Sequence, residues 1–158
     1  MSDPFVFRAD ERTALLGFIQ FYRDTIVGKI QGLDEDQVRF KPSPGANSML
    51  ALVNHLTGVE ARWFRSAIKG EHVEGNRDDE FFPPNSLTVA KAVANYRVAW
   101  QRSDRIARAV ESLDDMCKGE WASSRNVRWV LMHVLEETAR HAGHADITRE
   151  LIDGATGF

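Results

Sequence analysis

The sequence predicts an all-α fold, a four-helix bundle, on three observations. Four long stretches carry apolar residues at three- and four-residue spacings, breakers rich in Gly, Pro and polar residues separate them, and no stretch alternates in the manner of a strand. At 158 residues, 43% hydrophobic and 27% charged, the chain has enough apolar material for one domain spanning 1–158 with a substantial core.

The first helix is expected over about Asp10 to Gln31, where Leu15, Phe18, Ile19, Tyr22, Ile26 and Ile30 repeat at helical spacing until Gly32. Leu33 to Phe40 carries Asp34 and, three residues on, Gln37, a capping-box pair suited to a short helical turn before the breaker KPSPGAN. Asn47 or Ser48 caps the second helix, which runs to Gly70 with Leu52, His55, Leu56, Val59, Trp63 and Ile68 on or near one face. Residues 71–86, EHVEGNRDDEFFPPNS, read as a long surface loop whose Phe81 and Phe82 tuck back onto the bundle while His72 stays solvated.

Ser86 or Thr88 caps the third helix, expected to reach about Leu113 through Val89, Val93, Tyr96, Trp100, Ile106 and Val110. Its charges, Lys91, Arg97, Arg102, Arg105, Arg108 and Glu111, form a solvated face. Ser123 or Ser124 caps the fourth helix, which continues to Gly154. Loop 71–86 is long enough to run back along a whole helix, since extended chain covers about 3.3 Å per residue, so a crossover and an antiparallel hairpin between helices two and three both remain open.

Composition narrows the partners. A formal charge of −3, with basic residues dispersed among acids, argues against nucleic acid. No apolar run approaches the roughly 20 residues that span a bilayer, and MSDPFVFRADERTALL lacks a signal pattern, so no membrane and a cytoplasmic location are expected. The single cysteine, Cys117, lies in a polar connector as an unremarkable free thiol, and any metal site must be built from His and carboxylate.

The fourth helix holds that chemistry. At about 100° per residue, His133, Glu137, His141 and His144 fall within an arc of about 80° that also holds Val130, Val134, Ala145 and Leu151, the face to be buried, opposite Glu136, Asp146 and Arg149. Imidazoles and a carboxylate on a core-facing surface need partners, and a cation is one. Glu137 and His141 are four apart and His141 and His144 three apart, so spacing alone does not choose the second ligand on this helix. His55 is the natural third ligand from across the bundle, although a lone histidine on an apolar face is ordinarily a satisfied core residue. On spacing alone, a metal site and a buried His–Glu hydrogen-bond network stand level. The HExxH pattern and the paired ExxH motifs of di-iron bundles are both absent, which leaves a mononuclear site.

SMLALVNHLTGVEARWF, followed some eighty residues later by RWVLMHVLEETARHAGHADITRELIDG, resembles the DinB/YfiT-like superfamily of bundle metalloproteins, most closely an actinobacterial branch allied to mycothiol-dependent enzymes. The resemblance covers nearly the whole chain. It implies up-down-down-up connectivity, a crossover between helices two and three, and members that often form homodimers. Most of the superfamily ligates metal with a histidine on helix two and an HxxxH pair on the last helix. Here Glu137 holds the place of the first histidine of that pair, as in the similar mycothiol-dependent maleylpyruvate isomerases. The resemblance therefore implies His55, Glu137 and His141 as ligands, with His144 at a neighbouring position suited to a supporting or substrate contact. His133 is read as a buried hydrogen-bond partner, Trp63, Trp100 and Trp129 as core, and Arg62 and Arg140 as surface residues open to an anionic substrate.

The expected function is that of a divalent-metal-dependent enzyme acting on a small molecule, a thiol S-transferase or isomerase that uses mycothiol or a similar thiol. Zinc is the expected ion, with nickel, iron or manganese as alternatives. Two neutral imidazoles and one carboxylate leave the ion net positive charge, so a thiol entering the open position would lose its proton readily and become the nucleophile. A metal-dependent hydrolase and a non-catalytic, stress-related metal-binding module are the competing readings.

Overall fold

The computed structural model describes residues 9–157; the sequence before Ala9, read above for the absence of a signal pattern, lies outside the described residues. Four helices form the bundle: α1 (Glu11–Ile30), α2 (Met49–Glu60, continued as a π-helix over Ala61–Ile68), α3 (Val89–Ala109) and α4 (Val127–Asp153). Among the described residues the only strand-like pairing is an isolated bridge between Met116 and Asn126.

Side-chain caps fix where the helices start. Asp10 accepts from the Thr13 amide, Ser48 from Ala51 and Thr88 from Lys91, each satisfying an amide that the first turn leaves free. The capping box at Asp34 and Gln37 is present in both directions, with Asp34 Oδ1 accepting from the Gln37 amide at 2.8 Å and Gln37 Oε1 from the Asp34 amide at 3.0 Å. Gly154, at φ 76°, closes α4 in the left-handed region that favours glycine.

Two boundaries differ from expectation. Helix α4 is capped by Asn126 rather than Ser123 or Ser124, because residues 120–122 form a separate 3-10 turn that continues into both serines. Helix α3 ends at Ala109 instead of reaching Leu113: Val110 turns extended, and the Ser112 amide bonds the Asp115 carboxylate.

Ion pairs give the direction of each helix. Glu11 at the start of α1 meets Arg128 at the start of α4 at 2.7 Å, and Lys29 at the end of α1 meets Asp146 at 2.6 Å, so these two helices run parallel. Trp63, late in α2, packs on Trp129, early in α4, which makes α2 antiparallel to α4. The segment preceding α2 meets the start of α3 through Glu35 and the Val89 amide, while Glu71, after the π-helix, pairs with Arg102. Helices α2 and α3 are therefore parallel, the connectivity is up-down-down-up, and residues 69–88 form the crossover.

Most of the contact surface of α1 lies against α4, and α2 packs against α3. Between them Ile19, Ile26, Leu50, Phe64, Tyr96, Val130, Leu131 and Val134 are buried. A charged cluster sits in this core. Arg23 is fully buried, with Nε and Nη2 on the two Glu60 oxygens at 2.8 Å each and Nη1 on Asp104 at 2.8 Å, so that a single guanidinium ties α1, α2 and α3.

Several side chains expected in the core face outward instead. Phe82 is 74% exposed, Leu151 59% and Trp129 41%. Trp63 and Trp100 are buried as expected. Cys117 is also buried despite its polar neighbours, and burial pushes its thiol up. No helix of the described residues is long and apolar enough to cross a membrane.

Candidate metal centre

His55 projects from the middle of the apolar face of α2, and Glu137 and His141, one turn apart, project from the facing stripe of α4. The fold brings these three together. One ligand atom from each lies within 4.8 Å of the others, and the side chains are almost wholly removed from water, with His55 at 0%, Glu137 at 8% and His141 at 7% exposure.

Glu137 Oε1 stands 3.1 Å from His55 Nε2 and 3.5 Å from His141 Nε2, and the two imidazole rings meet edge-on at 5.1 Å. Beside two imidazoles, His141 and then His55, the Glu137 carboxyl is held far below the usual carboxylate range against the effect of burial. Burial works to lower the His55 ring, yet the carboxylates of Glu137 and Glu80 outweigh it and the ring is raised. The His141 Nε2 atom is buried and, among the described residues, makes no hydrogen bond, its nearest carboxylate oxygen being that of Glu137 at 3.5 Å.

These observations fit a cation. A buried imidazole nitrogen without a partner is costly, and a carboxylate oxygen facing two ring nitrogens concentrates donor atoms at one point. Two nitrogens and one oxygen form the donor set of an open three-ligand site.

The remaining expected residues divide. His144 is exposed; its Nδ1 lies 3.4 Å from His141 Nδ1, on the side of that ring away from Glu137. His133 stands outside the cluster: its ring stacks on Trp129 at 5.0 Å and meets Trp63 edge-on at 4.5 Å, and among the described residues it has no hydrogen-bond partner. The expectation of a buried hydrogen-bonding role for His133 is corrected accordingly: the ring is half-buried and its contacts are the indoles of Trp63 and Trp129. Arg140 is exposed and bonds to Glu136, with a longer approach to Glu137 of 3.7 Å. Arg62 is half-buried and bonded to Glu80. His72 is exposed, as expected.

Glu80 was absent from the sequence reading. It lies in a 3-10 turn, Asp78–Phe81, inside the loop between α2 and α3, and places Oε2 2.9 Å from His55 Nδ1. Asn54 holds the turn by donating to the Glu80 carbonyl at 2.7 Å, and Phe81 lies flat on the His55 ring at 4.1 Å.

Two cavities flank the cluster. One, of about 280 Å³, is lined by His141, His144, Leu52, Thr148 and the Gly45–Asn47 part of the connector before α2. The other, of about 930 Å³, runs between α2 and the 72–80 loop and reaches His55 only through Glu80 and Asn54.

A family model described as Mycothiol-S-transferase matches residues 14–154. A search of curated proteins finds no match.

Proposed function

The chain belongs to the mycothiol-S-transferase family, and on that premise we propose that it is a divalent-metal-dependent thiol S-transferase whose ion is held by His55, Glu137 and His141. The observation that supports this most strongly is the buried, unpartnered His141 Nε2 beside a carboxylate that also faces His55. When bound there, a divalent ion would supply a Lewis-acid position that lowers the pKa of an incoming thiol. Zinc suits the donor set best, two borderline nitrogens and one oxygen.

The chain's own groups divide the remaining work. Glu137 supplies the one negative charge and keeps its carboxyl ionised, so it offsets part of a cation's charge without taking a proton from the thiol. Leu56, beside His55 in the chain, and Val134, one turn before Glu137, are themselves buried, which keeps the helix faces that carry the ligands dry. The small cavity beside His141 and His144 is the route by which a thiol reaches the cluster, because it is lined by a ligand while the larger cleft is screened by Glu80 and Asn54.

The direct test is metal content after purification without added metal, followed by turnover with and without a low-molecular-weight thiol. About one zinc per chain and thiol-dependent turnover are expected. Less than about a tenth of an equivalent after loading with zinc, nickel, iron or manganese would remove the ligand assignment. Turnover indifferent to thiol would favour a hydrolase.

A second prediction separates the two candidates flanking His141. Glu137→Ala removes the anionic donor, and zinc affinity is expected to fall at least tenfold, roughly what loss of even a supporting partner costs. His144→Ala removes an exposed ring whose side-chain polar contact, among the described residues, is to His141 Nδ1, so stoichiometry stays intact and the loss is the smaller of the two. Chelator competition on both variants side by side decides, and the reverse ranking would exchange the roles of Glu137 and His144.

A further inference from the structure

We infer that Glu80, from the crossover loop, is a positioning residue for the metal centre: it holds the Nδ1 proton of His55 and so leaves Nε2 as the nitrogen aimed at Glu137 and His141. The inference rests on the ligand reading above and extends it to a residue on a different element.

The geometry assigns the two faces of the ring separately. Nδ1 is 2.9 Å from Glu80 Oε2, and Nε2 is 3.1 Å from Glu137 Oε1 on the other side. Both carboxylates only accept, so neither alone fixes the proton; an ion held among Glu137, His55 and His141 would take the lone pair of the nitrogen that faces them, Nε2, and leave the proton of a neutral ring on Nδ1, where Glu80 accepts it. A carboxylate that receives the far N–H of a ligating histidine fixes both its tautomer and its rotation.

The carboxylate is itself held on every side. Arg62 bonds its second oxygen, Asn54 holds the backbone of its turn, and Phe81, the next residue, packs on the same imidazole. Gly58 completes the seat. A Cβ built there would overlap the Glu80 carboxylate, so only glycine at position 58 lets the acid approach α2 this closely. A solvated loop acid would have none of this support. Arg62 on the carboxylate, Asn54 on its backbone, Phe81 on the imidazole and the missing Cβ at position 58 together seat one acid whose other oxygen meets His55.

The test compares wild-type, Glu80→Ala, Glu80→Gln and Gly58→Ala proteins by zinc affinity in chelator competition. Long-range proton–nitrogen NMR of the zinc-loaded proteins reads which nitrogen of His55 keeps its proton, and circular dichroism checks folding. Glu80→Ala should weaken zinc about 10- to 100-fold with helix content unchanged. Glu80→Gln keeps a carbonyl oxygen that accepts from Nδ1–H and should stay within a few-fold of wild type, with Nδ1 protonated in both. Gly58→Ala retains the acid but displaces it, and should weaken zinc as Glu80→Ala does, although alanine favours the helix itself.

Equal affinity of wild type and Glu80→Ala would overturn the inference. So would Glu80→Gln falling as far as Glu80→Ala, which would assign the effect to charge. Wild type that takes up no ion overturns the ligand assignment and this inference with it, and is distinguishable from the other results because it appears before any variant is compared.

Discussion

Replacing either His55 or His141 by alanine should take bound zinc from about one equivalent to less than about a tenth, while far-UV circular dichroism remains that of a helical bundle. Each substitution removes one of only two nitrogen donors from a three-ligand site. The donors that remain, one imidazole and Glu137, cannot enclose an ion. Folding should survive, because the core of Ile19, Ile26, Leu50, Phe64 and Val134 is assembled without the cluster. Metal analysis after dialysis against a weak chelator reads the first outcome and circular dichroism the second. A variant that retains a full equivalent is not missing a ligand, and its residue would leave the set.

The largest effect on stability is expected at a site remote from the ion. Glu60→Ala leaves the Arg23 guanidinium fully buried with Asp104 as its single remaining anionic partner, and two charge-assisted bonds at 2.8 Å are lost. Breaking one side of a buried ion pair costs about 3–5 kcal/mol, a large fraction of the roughly 5–15 kcal/mol by which such domains are stable. Urea denaturation should show that loss. Replacing both partners together, Arg23→Met with Glu60→Leu, should recover most of it, because no buried charge is then stranded. A loss below about 1 kcal/mol for Glu60→Ala would mean that water or Asp104 compensates the guanidinium far better than the geometry suggests.

Much of this architecture was legible because it depends on local patterns. The helical repeat of α1 from Leu15 to Ile30, the caps at Ser48 and Thr88, each one of two neighbouring candidates, and the Asp34–Gln37 box are all short-range features that folding leaves intact. Glu137 and His141 were legible only in part: four residues apart on an apolar stripe, they meet wherever the helix forms, but spacing offered His144 equally and the family resemblance supplied the choice. The cap of α4 was not, because Ser123, Ser124 and Asn126 are all competent and a tertiary event, the 3-10 turn at Glu120–Ala122, chose among them.

Glu80 could not be read at all. It stands in NRDDEFF as one acid among three, and only the folding back of the crossover distinguishes it from Asp78 and Asp79. The one faint signal was Phe81, whose expected return to the bundle did occur and carried its neighbour with it. The π-helical end of α2 left no mark either, since an i→i+5 hydrogen bond such as Lys69 to Phe64 alters neither composition nor spacing in the sequence.

The parallel pairing of α1 with α4 bears on how the molecule is made. A chain emerging from the ribosome presents α1 first, yet the helix that covers it comes last, so the apolar face of α1 must wait through the synthesis of everything between. The ion is subject to the same delay. His55 and Glu137 are 82 residues apart, and a nascent chain that stops short of α4 offers only His55 of the three clustered residues. An ion held by His55, Glu137 and His141 would therefore not template the early collapse of the first three helices but would lock a bundle already closed, and its capture would report completed folding rather than cause it.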